Sequence, residues 1–223
     1  MSPQSRSRSR ARSGARRPAP PRRTPWIWFA LGAVVVVAGI IAIIASRDTD
    51  GTSTPAGVEQ TRPVDVTGSA LPVLPDAATD PAVGQPIPEL HGHTFDDTPI
   101  SITRDGRAKL VLFVAHWCPH CQREVPLLVD YLESHSLPDN VDLVTVATGT
   151  TPDRPNYPPS AWLERERWPA PVLVDDADGT AAQAFGLPGY PYFVAVDASG
   201  TVVARTSGEI TTDQFAALAG QAA

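Results

Sequence analysis

Two cysteines are the residues of this 223-residue chain best suited to chemistry. They are Cys118 and Cys121, spaced Cys-x-x-Cys, and the chain contains no other cysteine. Two thiols at this spacing can form a redox pair, supply half of a metal site, or close a small structural loop. A scaffold of several disulfides is excluded, because it would need more cysteines.

The segment that carries the two thiols predicts how they would react. A nearly continuous apolar run over 109–115 is typical of a buried central strand, and helical spacing of apolar residues follows over 119–136, with a kink at Pro126. Cys118 therefore lies at a strand-to-helix junction, where unpaired N–H groups and the helix dipole favour a thiolate. The junction predicts that Cys118 is the reactive sulfur.

The neighbouring residues complete this prediction. Pro119 suits the first helical turn, where its missing N–H costs nothing. Cys121 lies three residues further on, projects from the same face of the helix and can close a short disulfide with Cys118. We therefore expect an exposed attacking sulfur at Cys118 and a sheltered resolving sulfur at Cys121.

The two other uses of a Cys-x-x-Cys pair are weaker. Zinc needs four ligands, and among the five histidines of the chain no second pair shows metal spacing. A structural disulfide across so small a loop would contribute little entropic stabilisation. The redox interpretation is favoured over both, and no metal is predicted.

The remaining patterns predict an α/β domain over residues 81–223 that positions this pair. Strand patterns alternate with helical ones, and Asp197-Ala198-Ser199-Gly200 is a hairpin signature between two strands. Further strands are expected at 141–147, 171–174, 192–196 and 202–206, and helices at 160–167, 180–185 and 211–221.

Charge divides the chain into two unlike parts. Of 18 basic residues, eight are arginines between Arg6 and Arg23, whereas all 24 acidic residues lie from Asp48 onward. An acidic domain is a poor partner for nucleic acid, so no nucleic-acid binding is predicted. Residues 1–25 lack acidic and bulky apolar residues and are expected to be a disordered basic tail.

An uninterrupted apolar run over 26–45 follows the basic tail. Twenty residues at about 1.5 Å each span the roughly 30 Å core of a bilayer. The run exceeds the apolar region of a typical signal peptide and lacks a convincing cleavage site, so an uncleaved signal anchor is predicted. The arginines keep the N-terminus cytoplasmic, and the chain is expected to be a single-pass protein of the cell membrane with its C-terminal domain outside the cytoplasm.

Residues 46–80 are predicted to be a flexible extracytoplasmic linker. They are rich in Thr, Pro, Gly, Ala, Val and Asp and show neither helical period nor strand alternation. As a coil they would hold the domain roughly 30 to 40 Å from the bilayer.

The motifs together resemble the thioredoxin superfamily. Trp117-Cys118-Pro119-His120-Cys121 stands at a strand-helix junction, with Glu124 three residues on, Pro126 in the helix, and Gly189-Tyr190-Pro191 about seventy residues later. Within the superfamily the chain is similar to the membrane-tethered TlpA-like branch, which includes the thioredoxins of cytochrome c maturation. The resemblance covers residues 81–223 and implies a thioredoxin-like fold, in which a central mixed sheet is flanked by helices.

The resemblance also implies roles for residues around the dithiol. A cis peptide bond should precede Pro191 and place the Tyr190 backbone beside Cys118, where it would pair with an extended substrate. Trp117 should pack beside the dithiol and complete this substrate-binding set. Glu124 would help to deprotonate the resolving cysteine, the alternative being an ordinary solvated helix carboxylate.

Leu112 stands where cytoplasmic thioredoxins carry a buried aspartate. Glu124 is therefore the nearby candidate base. Two acid pairs, Asp96-Asp97 and Asp175-Asp176, are expected to be loop and turn residues. His116 is expected to be a local surface residue.

Two features of the sequence give conflicting predictions for the direction of electron flow. The resemblance favours a reductant, whereas the Pro119-His120 pair is also that of DsbA-type oxidases. His120 would stabilise a thiolate at Cys118 and so favour the reduced dithiol; alternatively it is a solvent-facing residue without effect. The predicted function is thiol-disulfide exchange on exported proteins, as reduction or as oxidation, without a bound cofactor and with a membrane redox partner that recycles the dithiol.

Two other classes of function remain. A peroxidase of peroxiredoxin type would want a threonine three residues before its reactive cysteine, and that position is Ala115. A non-catalytic binding or chaperone module could use the groove around Tyr190, Pro191 and Tyr192. Replacement of Cys118 by serine separates this module from exchange, because its binding would survive whereas turnover of a disulfide substrate would not.

Overall fold

The computed structural model describes residues 58–77 and 79–223. Within these residues the chain forms eight strands and four helices. The strands are β1 (Asp65–Thr67), β2 (Glu89–His93), β3 (Pro99–Ile102), β4 (Ala108–Val114), β5 (Val141–Ala147), β6 (Val172–Val174), β7 (Tyr192–Val196) and β8 (Val202–Ser207), and the helices are α1 (Pro119–Ser134), α2 (Pro159–Arg165), α3 (Thr180–Ala184) and α4 (Thr212–Ala222).

The N-terminal predictions lie largely outside this range. The basic tail (1–25), the membrane span (26–45) and the first part of the linker (46–57) are not among the described residues. Among the described helices, none has the length and apolar character that a membrane span requires.

The main sheet has five strands in the order β6-β5-β4-β7-β8. β4 pairs in parallel with β5 and antiparallel with β7, and β5 pairs in parallel with β6, so the sheet is mixed. All seven residues of β4 are buried, which explains the continuous apolar run of its sequence. The predicted α/β fold with a central mixed sheet is confirmed, and the predicted elements of this part lie within two residues of the observed ones.

Alternate residues of β4 enter two different hydrophobic cores. Leu112 and its neighbours two residues away contact a core that includes α1 and α4. Phe113 instead packs in a core with Phe185 after α3 and Tyr192 on β7. Because successive side chains of a strand point to opposite faces, a strand with a core on each face must be apolar throughout.

A second, three-stranded antiparallel sheet in the order β1-β2-β3 was not predicted. β1 lies within the predicted linker, and its residues Asp65 to Thr67 pair with β2 from His91 to Glu89. The strands have three, five and four residues, too few for a clear period of apolar residues.

The predicted linker boundary at residue 80 is wrong for the part of the linker that the structure describes. This part, residues 58–77, 79 and 80, is called the N-terminal segment below. Leu71 is 4% exposed, and its N–H donates to Ala184 O at 2.9 Å. Gly186 has a φ of 66°, and a Cβ there would lie 2.3 Å from Pro72 O, so the segment passes too close for any side chain. The domain therefore begins before Pro81.

A buried ion pair fastens the end of this segment to β8. The Arg205 side chain is fully buried and forms a salt bridge with Asp80. Its guanidinium also donates to Pro72 O at 2.9 Å and to Tyr192 Oη at 3.0 Å. The hydrogen bond from Arg205 lowers the pKa of Asp80. The sequence did not predict that this segment is ordered, because long-range contacts rather than a local pattern hold it in place.

Candidate active site

The dithiol lies at the junction of β4 and α1. Cys118 is the N-cap residue of α1, Pro119 occupies the first helical turn, and both cysteines are free thiols. Cys121 is fully buried, and burial raises the pKa of its thiol. Cys118 is only 5% exposed, so the predicted contrast between an exposed and a sheltered sulfur is smaller than expected.

A loop before β7 faces the sulfur of Cys118. The Tyr190–Pro191 peptide bond is cis, as the resemblance implied. Cys118 Sγ donates to Tyr190 O at 3.7 Å, within hydrogen-bond range for sulfur. The structure therefore brings together Cys118 and the Tyr190 backbone, which are separated by 72 residues in the sequence.

Trp117 packs beside this pair, as expected. Its ring meets the ring of Tyr190 edge-on, with centroids 5.7 Å apart, and Trp117 Nε1 donates to Gly149 O at 2.7 Å. The Arg154 guanidinium lies 4.7 Å from the centre of the Trp117 ring. Gly149 has a φ of 62°, and a Cβ there would lie 2.8 Å from Tyr190 Oη, so glycine permits the close approach. The loops that carry Gly149, Arg154 and Tyr190 therefore meet around Trp117, next to Cys118.

Glu124 lies on the buried side of the dithiol. It is 2% exposed, and its carboxylate accepts from the Ile210 N–H at 3.2 and 3.3 Å. Burial raises the pKa of Glu124 to about 7, and the negative charge of Glu209 acts in the same direction. Glu124 also contributes to the raised pKa of Cys121, so the two groups are electrostatically coupled. The alternative of a solvated helix carboxylate is therefore wrong.

His120 and Arg123 form the exposed side of the site. His120 Nδ1 contacts the Glu209 carboxylate, and Arg123 Nε donates to the two Glu209 oxygens at 3.1 and 3.2 Å. The hydrogen bond from Arg123 and then that from His120 lower the pKa of Glu209 to about 2. His120 is exposed over 57% of its side chain but is paired. Glu209 was missed in the sequence because it lies 89 residues from His120 with no motif around it.

The prediction that His116 lies on the surface is wrong. His116 is 1% exposed, and burial lowers its pKa. Its Nδ1 donates to Pro155 O at 2.7 Å, and its Nε2 accepts from the Thr151 N–H at 3.3 Å. These contacts suit the neutral ring, which holds the loop that carries Arg154 against Trp117.

The remaining acidic candidates have structural contacts. Asp175 is 1% exposed and accepts from the N–H groups of Ala181 and Ala182 at the start of α3, at 2.8 and 3.2 Å. Asp176 accepts from Thr180 in the same turn. In the part of the chain that the structure describes, no three His, Cys, Asp or Glu residues are grouped so that they could hold a metal ion.

The family of the chain follows from comparison with known proteins. The family model described as Redoxin matches residues 82–220, a range that contains both cysteines, Glu124 and the Tyr190–Pro191 bond. The chain belongs to the Redoxin family. The N-terminal segment lies outside this match, although it packs on the matched domain.

Two relatives and one solved structure show the resemblance in detail. Thiol:disulfide interchange protein HelX of Rhodobacter capsulatus is 30% identical over 110 residues, which are 49% of this chain and 57% of HelX. Thiol:disulfide interchange protein DsbE of Allochromatium vinosum is 28% identical over 149 residues, 66% of this chain and 78% of DsbE. A thioredoxin-family thiol:disulfide interchange protein of Chlorobium tepidum superposes with a TM-score of 0.50 and 26% identity, over 66% of this chain and 99% of that one.

These relatives confirm the thioredoxin-like fold and the predicted membership of the thioredoxin superfamily, in its TlpA-like branch. The chain spans little more than half the length of HelX.

Proposed function

We propose that this protein is a thiol-disulfide oxidoreductase that exchanges disulfides with exported proteins through Cys118 and Cys121. The observation that carries the proposal is the contact of Cys118 Sγ with Tyr190 O, at the N-terminus of α1 and beside cis-Pro191. An extended peptide that pairs with the Tyr190 backbone would present its own sulfur to Cys118. The names of HelX and DsbE support the same activity.

Reduction of a substrate disulfide would take two steps. The Cys118 thiolate attacks one substrate sulfur, the substrate S–S bond breaks, and the other substrate sulfur leaves as a thiolate. Cys121 then gives up its proton and attacks Cys118 Sγ, which releases the second substrate thiolate and forms the Cys118–Cys121 disulfide. Two electrons pass from the dithiol to the substrate, and the reverse sequence oxidises a substrate dithiol.

The second step is where Glu124 would act. Burial opposes the ionisation of Cys121, so its proton needs an acceptor. With a pKa of about 7, the Glu124 carboxylate is partly unprotonated at neutral pH and can receive this proton. Leu112 is fully buried in the core and supplies no alternative acid.

The proposed location is the cell membrane, with the redox domain outside the cytoplasm. Its support is the apolar run over 26–45 behind eight arginines. An anchor of this kind would keep the dithiol near a membrane redox partner that recycles it. Alkaline extraction of membranes and protease treatment of intact cells test the location: we expect the full chain to stay with the lipid and its C-terminal domain to be cleaved only from outside.

The reduction potential of the full chain, equilibrated with glutathione buffers, tests the redox function. We expect one intramolecular disulfide in the wild type and none in Cys118→Ser. A strongly reducing potential would assign reduction of exported proteins, as in cytochrome c maturation, and an oxidising one would assign disulfide formation. Failure of the wild type to form the disulfide at all would falsify the redox function.

A further inference from the structure

The loop between β8 and α4, residues 208–211, contacts three parts of the site with three consecutive residues. The Gly208 N–H donates to Pro191 O at 2.8 Å. The side chain of Glu209 reaches His120 and Arg123 in the first turns of α1. The loop therefore touches the cis-proline and the exposed side of the dithiol together.

The third residue of the loop reaches the buried side. The Ile210 N–H donates to both oxygens of Glu124, at 3.2 and 3.3 Å. This is the contact that holds the candidate base in place within a largely apolar surrounding of α1 and α4. Since Glu209 and Ile210 are adjacent, an ion pair on the surface and a hydrogen bond in the interior depend on the same short piece of backbone.

The contacts of Glu209 with His120 and Arg123 contribute little to the stability of the fold. Its carboxylate accepts from Arg123 and from His120, yet the side chains of both partners are more than half exposed. Exposed ion pairs stabilise a fold little, because solvent screens them. A carboxylate at this position instead carries its charge close to Glu124 and ties the loop to the helix that bears both cysteines.

We propose that Glu209 is a positioning residue for proton transfer from Cys121: it ties the loop to α1, keeps the Ile210 N–H against Glu124, and directs its negative charge at that carboxyl. The inference rests on the proposed function, since it concerns the resolving step of disulfide exchange. Among the described residues, Glu209 on the loop and Cys121 on α1 interact electrostatically with Glu124. Cys118 is coupled to Cys121, and His120 and Arg123 contact Glu209.

Glu209→Gln removes the charge but keeps an oxygen that can accept from Arg123, so the loop and the Ile210 hydrogen bond, which lowers the pKa of Glu124, should stay in place. The lost charge then decides the sign of the shift. In Glu209→Gln the negative charge near Glu124 is lost, so Glu124 gives up its proton at lower pH. Arg123 loses its counter-ion at the same time, and its positive charge acts in the same direction. The acidic limb of the resolving step is therefore expected to move to lower pH by roughly half to one unit.

The experiment follows the resolving step directly in the full chain. Reduced protein is mixed with Ellman's reagent: attack by Cys118 releases a first equivalent of thionitrobenzoate, and attack by Cys121 on the mixed disulfide releases the second. The rate of the second release is measured from acid to alkaline pH for the wild type and Glu209→Gln. Asp213→Asn is the matched control, because Asp213 is exposed in the first turn of α4 and undergoes the same change of charge.

Two further variants separate positioning from a general structural role. Glu209→Asp keeps the charge and should stay close to the wild-type midpoint. In a Glu124→Gln background the inflection near pH 7 should disappear, because the rate then follows the ionisation of the buried Cys121 itself. Glu209→Gln should then cause no shift near pH 7.

The inference is overturned if Glu209→Gln has the same midpoint as Asp213→Asn, or if its shift persists without Glu124. If the wild type releases only one equivalent, the proposed function itself fails, and this outcome is distinct from both.

Discussion

Two carboxyl groups withdrawn from solvent, Glu124 and Asp80, have pKa values shifted in opposite directions. Glu124 beside the dithiol is 2% exposed and accepts from one backbone N–H, and burial raises its pKa to about 7. Asp80 in the N-terminal segment is 13% exposed and pairs with the buried Arg205, which lowers its pKa. The first group is left able to exchange a proton near neutral pH, whereas the second is kept ionised.

The difference separates a region suited to chemistry from one that holds the fold together. A buried acid without a cation destabilises the folded protein once it ionises, so its presence beside Cys121 needs a functional reason. A buried acid with an arginine and further hydrogen bonds has its partners and needs no such reason. Substitutions should therefore affect activity in the first region and stability in the second.

The largest effect on activity is expected from Cys118→Ser. Loss of the attacking sulfur should reduce turnover of a disulfide substrate by about a thousandfold or more, because serine cannot form the mixed disulfide. The free energy of unfolding of the reduced protein should change little, since the two side chains have nearly the same shape. Turnover and urea unfolding, measured on one preparation, test the loss of activity and the unchanged stability. Substantial residual turnover would assign the chemistry to a group other than Cys118.

The largest effect on stability is expected from Arg205→Met. The substitution removes the arginine donor from Asp80, Pro72 O and Tyr192 Oη and should cost about 3 to 5 kcal/mol in the free energy of unfolding. The fraction that remains folded should keep its exchange rate.

Arg104→Met is the control for this substitution, because Arg104 pairs with Glu89 at a distance of 3.3 Å in a solvent-exposed position. It should cost at most about 1 kcal/mol. Equal losses in the two variants would show that Arg205 does not fasten the N-terminal segment.

A smaller effect, dependent on pH, is expected from Glu124→Gln. The folded pKa of Glu124 lies near 7, above its usual value of 4.5, so the contribution of Glu124 to stability is fully present below pH 4.5 and is lost as pH rises through 7. The amide does not titrate. The variant should therefore be more stable than the wild type by up to about 3 kcal/mol at pH 8 and equal to it near pH 4.5.

Urea unfolding of the reduced proteins at both pH values measures this difference. The resolving step of Glu124→Gln should be slower at pH 7, which would give a variant that is more stable and less active. A variant less stable than the wild type at pH 8 would contradict the view that ionised Glu124 strains the fold.

Much of the α/β core could be predicted because its signals are local. β4 is apolar at nearly every position since it is buried on both faces, and the Asp197–Gly200 turn marks the β7–β8 hairpin. The cysteine pair, Glu124 and the Tyr190–Pro191 bond were found through a motif whose order along the chain is distinctive. The N-terminal segment could not be predicted, because its order comes from contacts such as that of Asp80 with Arg205, 125 residues away.

The sequence by itself determined the dithiol, its place at the start of a helix, and the apolar strands that carry it, because each depends on residues that are near one another in the chain. Only the tertiary structure decided that His116 is buried, that Glu124 is shielded from water, and that Glu209 meets His120. Burial and charge pairing are properties of residues brought together from distant parts of the chain, and the contacts of the β8–α4 loop with α1 and Pro191 join residues far apart in the sequence.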